Sequence, residues 1–154
     1  MIIIDTNVVS EIVKLSPAPA VIEWFASQRP QDLYTTTITQ AGVLYGIELL
    51  PKGRRRSTLQ AAMASVFDQM FAGRVLPFDE GSAFGFAMIA ARHQVSGRTI
   101  GKLDIQIAAI AFSRGASLAT RNTRDFVACG VELINPWEGS GAIRAEGRNP
   151  FSGR

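Results

Sequence analysis

The sequence predicts an α/β sandwich built on a parallel sheet. Short β-branched runs without polar alternation, Ile2-Ile3-Ile4 above all, read as strands covered on both faces. Longer stretches with apolar residues at helical spacing separate them. A chain of 154 residues, 47% of them hydrophobic, suits one domain with one interior.

The elements follow in order. The first strand runs straight into Asp5-Thr6-Asn7. Residues 7–14 form a short helix through Val8, Val9, Ile12 and Val13, with Pro17 and Pro19 beyond it. A second helix covers 20–26, with Ile22, Trp24 and Phe25 partly inward, and Pro30 closes it. Residues 33–36 are the second strand. Thr37 followed by Gln40 matches a capping box, opening a helix that runs to about Leu50, where Pro51 and Gly53 stop it. Residues 54–71 are amphipathic through Leu59, Met63, Val66, Phe67 and Met70. These two helices form a hairpin, or clip. Residues 74–78 make a short strand, and Asp79 caps a helix over 82–94 whose inner face is Phe84, Met88 and Ala91. Residues 102–114 form a nearly all-apolar helix, 117–119 a strand, 120–126 a loop or short helix, and 131–134 the last strand. Residues 1–137 constitute the domain; residues 138–154, rich in glycine and arginine, read as a mobile tail.

Composition narrows the function. Cys129 is the only cysteine, so no internal disulfide forms and a reducing cytoplasm fits best. Its plain reading is a small apolar residue near a turn. No stretch approaches ~18 uninterrupted apolar residues, so no membrane span is expected. The net charge is +3 while residues 1–51 carry −3, so positive charge gathers later, most densely at Lys52, Arg54, Arg55 and Arg56. That run either steers a phosphate backbone or is a solvated turn between helices. Phosphate-binding glycine loops and zinc-type Cys/His clusters are missing from the sequence. His93, the one histidine, lacks a nucleophile-elbow partner and reads as a surface or helix-end residue.

Acids remain. A parallel strand delivers Asp5 to its carboxyl end, where ligands bind in open sheets. Asp5 also suits the cap of the following helix. Asp104 interrupts a greasy helix near its start, where the dipole favours an acid. Asp125 follows a strand end, as Asp5 does. Converging carboxylates repel and need a cation, and carboxylate oxygens suit Mg²⁺ or Mn²⁺.

The pieces IIIDTNVVSE, TTITQAGVLYGIELL, RVLPFDEGSA, GKLDIQIAAIA and LATRNTRDF followed by NPW occur in that order. Together they resemble the PIN-domain ribonucleases, of the VapC type found in toxin–antitoxin pairs, and especially their FitB-like branch. The resemblance spans residues 1–137 and implies a PIN-like α/β/α sandwich with a helical clip. It implies Mg²⁺-dependent RNA cleavage, with Mn²⁺ as a substitute. Asp5, Asp104 and Asp125 would be the catalytic and metal-holding acids, supported by Thr6 and Asn122. With RNA as substrate, the basic run Arg54, Arg55 and Arg56 would steer its backbone, and Arg121 and Arg124, flanking the acids, would balance their charge or touch phosphate. A cognate antitoxin would lie across the groove between the first helices and the hairpin, near Tyr45, Leu49, Met63 and Phe67, most of which core packing explains equally well. A homodimer and no membrane partner are also implied.

One family acid is missing. Where members carry Glu in a T-x-A-E-L-like phrase, this chain reads Thr39-Gln40-Ala41-Gly42-Val43. A mid-helix glycine costs ~1 kcal/mol relative to alanine. Gly42 reads as a lost Glu, through selection against a toxic nuclease during expression or through natural decay. The competing reading is close helix packing. Glu48, six residues on, falls on another helical face. The expected function is an impaired Mg²⁺-dependent toxin ribonuclease of a type II pair. Its alternatives are a catalytically dead module binding antitoxin or RNA and, more distantly, a hydrolase of small phosphoesters.

Overall fold

A computed structural model of the chain describes residues 1–138 and the backbone of the strand Ala142–Ile143. The sheet has the order β3-β2-β1-β4-β5-β6. Its strands are β1 (Ile2–Ile4), β2 (Leu33–Thr36), β3 (Val75–Leu76), β4 (Ser117–Ala119), β5 (Leu133–Ile134) and β6 (Ala142–Ile143). β1 to β5 are parallel; β6 pairs antiparallel with β5. The tail expected over 138–154 therefore contributes this edge pair, and most of its remainder lies outside the described residues.

Successive β1 side chains point to opposite faces, so the all-isoleucine strand serves two layers. Ile4 packs with Val8 and Val9 of α1 (Thr6–Ile12), Trp24 of α2 (Pro19–Ser27), Val43 of α3 (Thr37–Glu48) and Met63 of α4 (Arg54–Ser65). Ile3 packs with Ile89 of α5 (Glu80–Ser96) and with Ile107 and Ile110 of α6 (Lys102–Ser113). α3 and α4 form the expected hairpin, extended by a π-helical turn over Val66–Met70. A short α7 (Thr123–Phe126) follows β4.

Four local expectations are corrected. The cap of α3 is Thr36, one residue earlier than predicted, its hydroxyl accepting from Thr39 N at 2.9 Å. The inner face of α5 is Ser82, Gly85, Ile89 and His93, not Phe84, Met88 and Ala91. Phe84 is 71% exposed. The reason is shape: a Cβ on Gly85 would lie 3.1 Å from the Ala109 carbonyl oxygen, so α5 and α6 approach through their smallest residues. His93 is at the helix end, as expected, but buried, its Nδ1 2.9 Å from the Ile89 carbonyl. Met63 and Phe67 belong to the interior, leaving only Tyr45 and Leu49 of that group exposed. Cys129 is a buried apolar residue, its thiol pushed up to about 12 mainly by burial.

Candidate active site

β1 and β4 are neighbours at the point where the strand order reverses direction, and the crevice beyond their carboxyl ends is the natural ligand site. The register pairs Ile4 with Ala119, so Asp5 and Thr120 leave the sheet side by side. Asp5 is 3% exposed. One carboxylate oxygen accepts from Thr6 N at 2.7 Å. The other accepts from Thr120 Oγ1 at 2.7 Å and from Asn7 Nδ2 at 2.9 Å. Asp5 is thus both the cap of α1 and a fixed acid in the crevice. Burial pushes its carboxyl up, against the lowering pull of these hydrogen bonds.

Asn7 and Thr120 were not singled out from sequence as site residues. Asn7 also donates to Thr120 Oγ1 at 3.1 Å and accepts from Arg121 N at 3.1 Å, tying the two strand ends together. Position held the clue for Thr120: it follows its strand as Asp5 follows β1.

α6 immediately precedes β4 and runs back over the sheet, so its start lies at the strands' carboxyl end. That brings Asp104, in the first turn, to the crevice. Its carboxyl is raised by burial first, and then by the negative charges of Asp5 and Asp125. Asp104 therefore lies within electrostatic reach of two acids distant in sequence. Asp125, on α7, is exposed. Asn122 joins through its backbone, donating N–H to Thr120 Oγ1 at 3.1 Å. Beside it, Asn122, Arg124, Asp125, Asn135 and Glu138 help line a polar cleft of about 280 Å³. Arg121 shares that cleft and lies over the Trp137 ring, 5.2 Å from its centre.

Carboxylate oxygens are the right donors for a hard divalent cation, and a cation would relieve the repulsion borne by Asp104. Among the described residues, no three His, Cys, Asp and Glu side chains are gathered tightly enough to hold a metal as placed. The donor chemistry fits while the donor set is sparse, which directs attention to Gly42. A Cβ there would meet only Thr6, at 3.7 and 3.8 Å, which is ordinary contact. Neither packing nor backbone geometry requires glycine at this position. Glu48 offers no replacement: it pairs with Arg56 and accepts from Gln60 Nε2.

From Thr6 and Gly42 a groove of about 290 Å³ runs between α1, α3 and α4 to Lys14 and Arg55. It continues into an apolar cleft of about 690 Å³ lined by Val13, Leu15, Leu59 and Ala62. Arg54 and Arg55 are exposed along it. Arg56 is committed elsewhere, its guanidinium bound to Glu48 and to the Glu48 and Leu50 carbonyls. It braces the α3–α4 turn.

The sequence pattern of the PIN domain matches residues 2–130. The chain belongs to the PIN-domain family. This PIN domain is 42% identical over 138 residues to the VapC ribonuclease Y4jK of Sinorhizobium fredii, covering 90% of this chain and 99% of that protein. It is 37% identical over 137 residues to the toxin FitB of Neisseria gonorrhoeae, covering 89% and 99%. The crystal structure of FitAcB from Neisseria gonorrhoeae superposes with a TM-score of 0.82 at 37% identity, again over 89% and 99%. VapBC-5 of Mycobacterium tuberculosis, described as a member of the VapBC family of toxin–antitoxin systems, gives 0.66 at 26% identity over 86% and 96%. The α/β/α architecture expected from the resemblance is the one observed. PIN domains of the VapC type depend on a divalent metal. No helix among the described residues is long and apolar enough to cross a membrane.

Proposed function

We propose that this protein is the RNA-cleaving toxin of a toxin–antitoxin pair, impaired by Gly42. The carrying observation is geometric: Asp5 at the carboxyl end of β1 and Asp104 in the first turn of α6 come to the sheet's switch point, where the Asp104 carboxyl is raised by burial and then by the charges of Asp5 and Asp125. Those three acids would hold Mg²⁺, with Mn²⁺ as its substitute. When bound, the ion supplies a water of lowered pKa and charge neutralisation at the scissile phosphate. The protein's own work is positioning. Thr6 N, Asn7 and Thr120 lock the Asp5 carboxylate in one orientation. Asp125, exposed on α7, meets incoming substrate. Arg121 and Arg124 offset the acids' charge, and Arg121 takes a backbone phosphate. Arg54 and Arg55 attract the chain from a distance, while Arg56 is a brace. Single-stranded or looped RNA suits an acidic crevice that must reach an exposed phosphate.

The relatives' names support a protein partner. The groove from Thr6 to Leu15 is the seat proposed for the antitoxin's C-terminal segment, between the first helices and the hairpin. A homodimer would cover the exposed stripe Phe84, Ala87, Met88 and Ala91 on α5. A cytoplasmic location agrees with the lone buried thiol of Cys129.

A second reading, a PIN fold that binds antitoxin or RNA without cleaving, is favoured by Gly42. Incubating RNA with the protein and with Gly42→Glu, in Mg²⁺ or EDTA, separates the readings. The proposal expects Mg²⁺-dependent cleavage that is weak in the parent, strong in Gly42→Glu, and lost in Gly42→Glu/Asp104→Asn. RNA retention without cleavage by either protein selects the binding module. Hydrolysis of p-nitrophenyl phosphate, with RNA untouched, selects a small-phosphoester hydrolase.

A further inference from the structure

The cleft beside α7 is chemically unlike the acid crevice it adjoins. Arg121 and Arg124 bring guanidinium donors, while Glu138 and Asp125 bring carboxylate acceptors. Asn135 is 5% exposed, and its Oδ1 is occupied by Trp137 N at 3.1 Å. Asn135 itself is one of the residues lining the cleft. Arg121 lies over the Trp137 ring, a cation–π contact that holds it at the cleft's edge. A site for phosphate alone would not carry two acids. A site offering donors and acceptors together matches the edge of a base.

We propose that this cleft is a nucleobase subsite selective for guanine. The inference rests on the reading of the protein as an RNA-binding PIN domain. Guanine alone among the four RNA bases presents two adjacent N–H donors, at N1 and N2, and two adjacent acceptors, O6 and N7. A carboxylate accepts the first pair and a guanidinium donates to the second. Glu138 takes the acceptor role, because Asp125 is shared with the acid crevice. Arg124 and the Asn135 amide donate to O6 and N7. A cleft of about 280 Å³ is near the lower size of small-molecule sites, enough for one base. Its position next to Asp125 places the recognised guanosine beside the scissile phosphate, so the subsite would set where the RNA is cut.

The test uses the full chain in EDTA, so metal and turnover play no part. GMP, AMP, CMP, UMP and inorganic phosphate are titrated while the emission of Trp137 is followed. Trp24 is buried in the core and serves as a constant background. GMP is expected to bind about tenfold more tightly than the other nucleotides. Glu138→Gln, with an unchanged circular dichroism spectrum, is expected to erase that margin, and Arg124→Gln to weaken GMP most. Equal affinity for all four nucleotides, or phosphate binding as well as GMP, overturns the subsite. So does a preference that survives Glu138→Gln. An RNA oligomer run in parallel keeps the two readings apart: retained oligomer with no base preference removes the subsite and leaves RNA binding standing.

Discussion

Replacing Gly42 separates a lost ligand from a packing requirement, and the structure sets the size of each effect. Gly42→Ala adds one Cβ at 3.7 Å from Thr6 Cγ2, which is ordinary contact, inside a twelve-residue helix. The helix-propensity gain is about 1 kcal/mol. For a chain of this length that raises Tm by roughly 2–4 °C, with or without metal. Gly42→Glu gains much of the same propensity but adds a fourth negative charge near Asp5, Asp104 and Asp125. In EDTA the two effects offset, and Tm should stay close to that of the parent. With Mg²⁺ at ten times its Kd, linkage contributes about 1.4 kcal/mol. The melting curve of Gly42→Glu then moves up by roughly 3–6 °C, while the parent and Gly42→Ala respond little. Differential scanning fluorimetry across a Mg²⁺ series reads all three. A lower Tm for Gly42→Ala would show that glycine is needed for packing. A Gly42→Glu protein indifferent to Mg²⁺ would refute the lost-ligand argument.

Three further outcomes follow from the same structure. Because the Asp104 carboxyl is raised in the fold, the stability tied to it is fully present below its unfolded value of 3.8 and is lost as pH rises through the folded value. Asp104→Asn in EDTA should therefore melt above the parent near neutral pH, with the gap closing in acid; a pH-independent gap would contradict the linkage. Gly85→Ala brings a Cβ to 3.1 Å from the Ala109 carbonyl oxygen; overpacking of about 1–3 kcal/mol less about 1 kcal/mol of helix propensity leaves an expected net loss of up to about 2 kcal/mol in urea unfolding. Cys129, buried and with its thiol pushed up to about 12, should resist alkylation until denaturant is added, as mass spectrometry would report.

The crevice was legible in the sequence because its pieces obey strong local rules. An unalternating isoleucine strand ends in an acid, and a helix that is otherwise apolar opens with one. The sheet topology brings those two ends to the same edge. What hydrophobic periodicity misses is shape. In α5 it weighs Phe84 and Met88 above Ser82 and Gly85, yet the helix buries the small residues because α6 comes so close. For Met63 and Phe67 the helix face left groove lining and core packing equally open, and the fold of the clip decides for the core. Thr36 outcompeted Thr37 as cap because the strand delivers its hydroxyl directly to Thr39 N. Arg56 looked like one of three equivalent cations until its bond to Glu48 set it apart. Asn7 and Thr120 act through a partner more than a hundred residues away, which no local pattern can announce.

The antiparallel pairing of β6 with β5 has a consequence for how copies of this protein behave when crowded. Unpaired strand margins invite other chains to add on in register, a route to fibres and precipitates. Here one margin is occupied by the chain's own later segment. The opposite one, β3, is only two residues long, and the neighbouring Arg74 side chain folds back onto the Leu33 carbonyl at 3.0 Å. Clipping the chain before Ala142 would bare β5, which among the described residues has no such side chain folded across it in place of the lost pairing, and turbidity at raised concentration would register the difference.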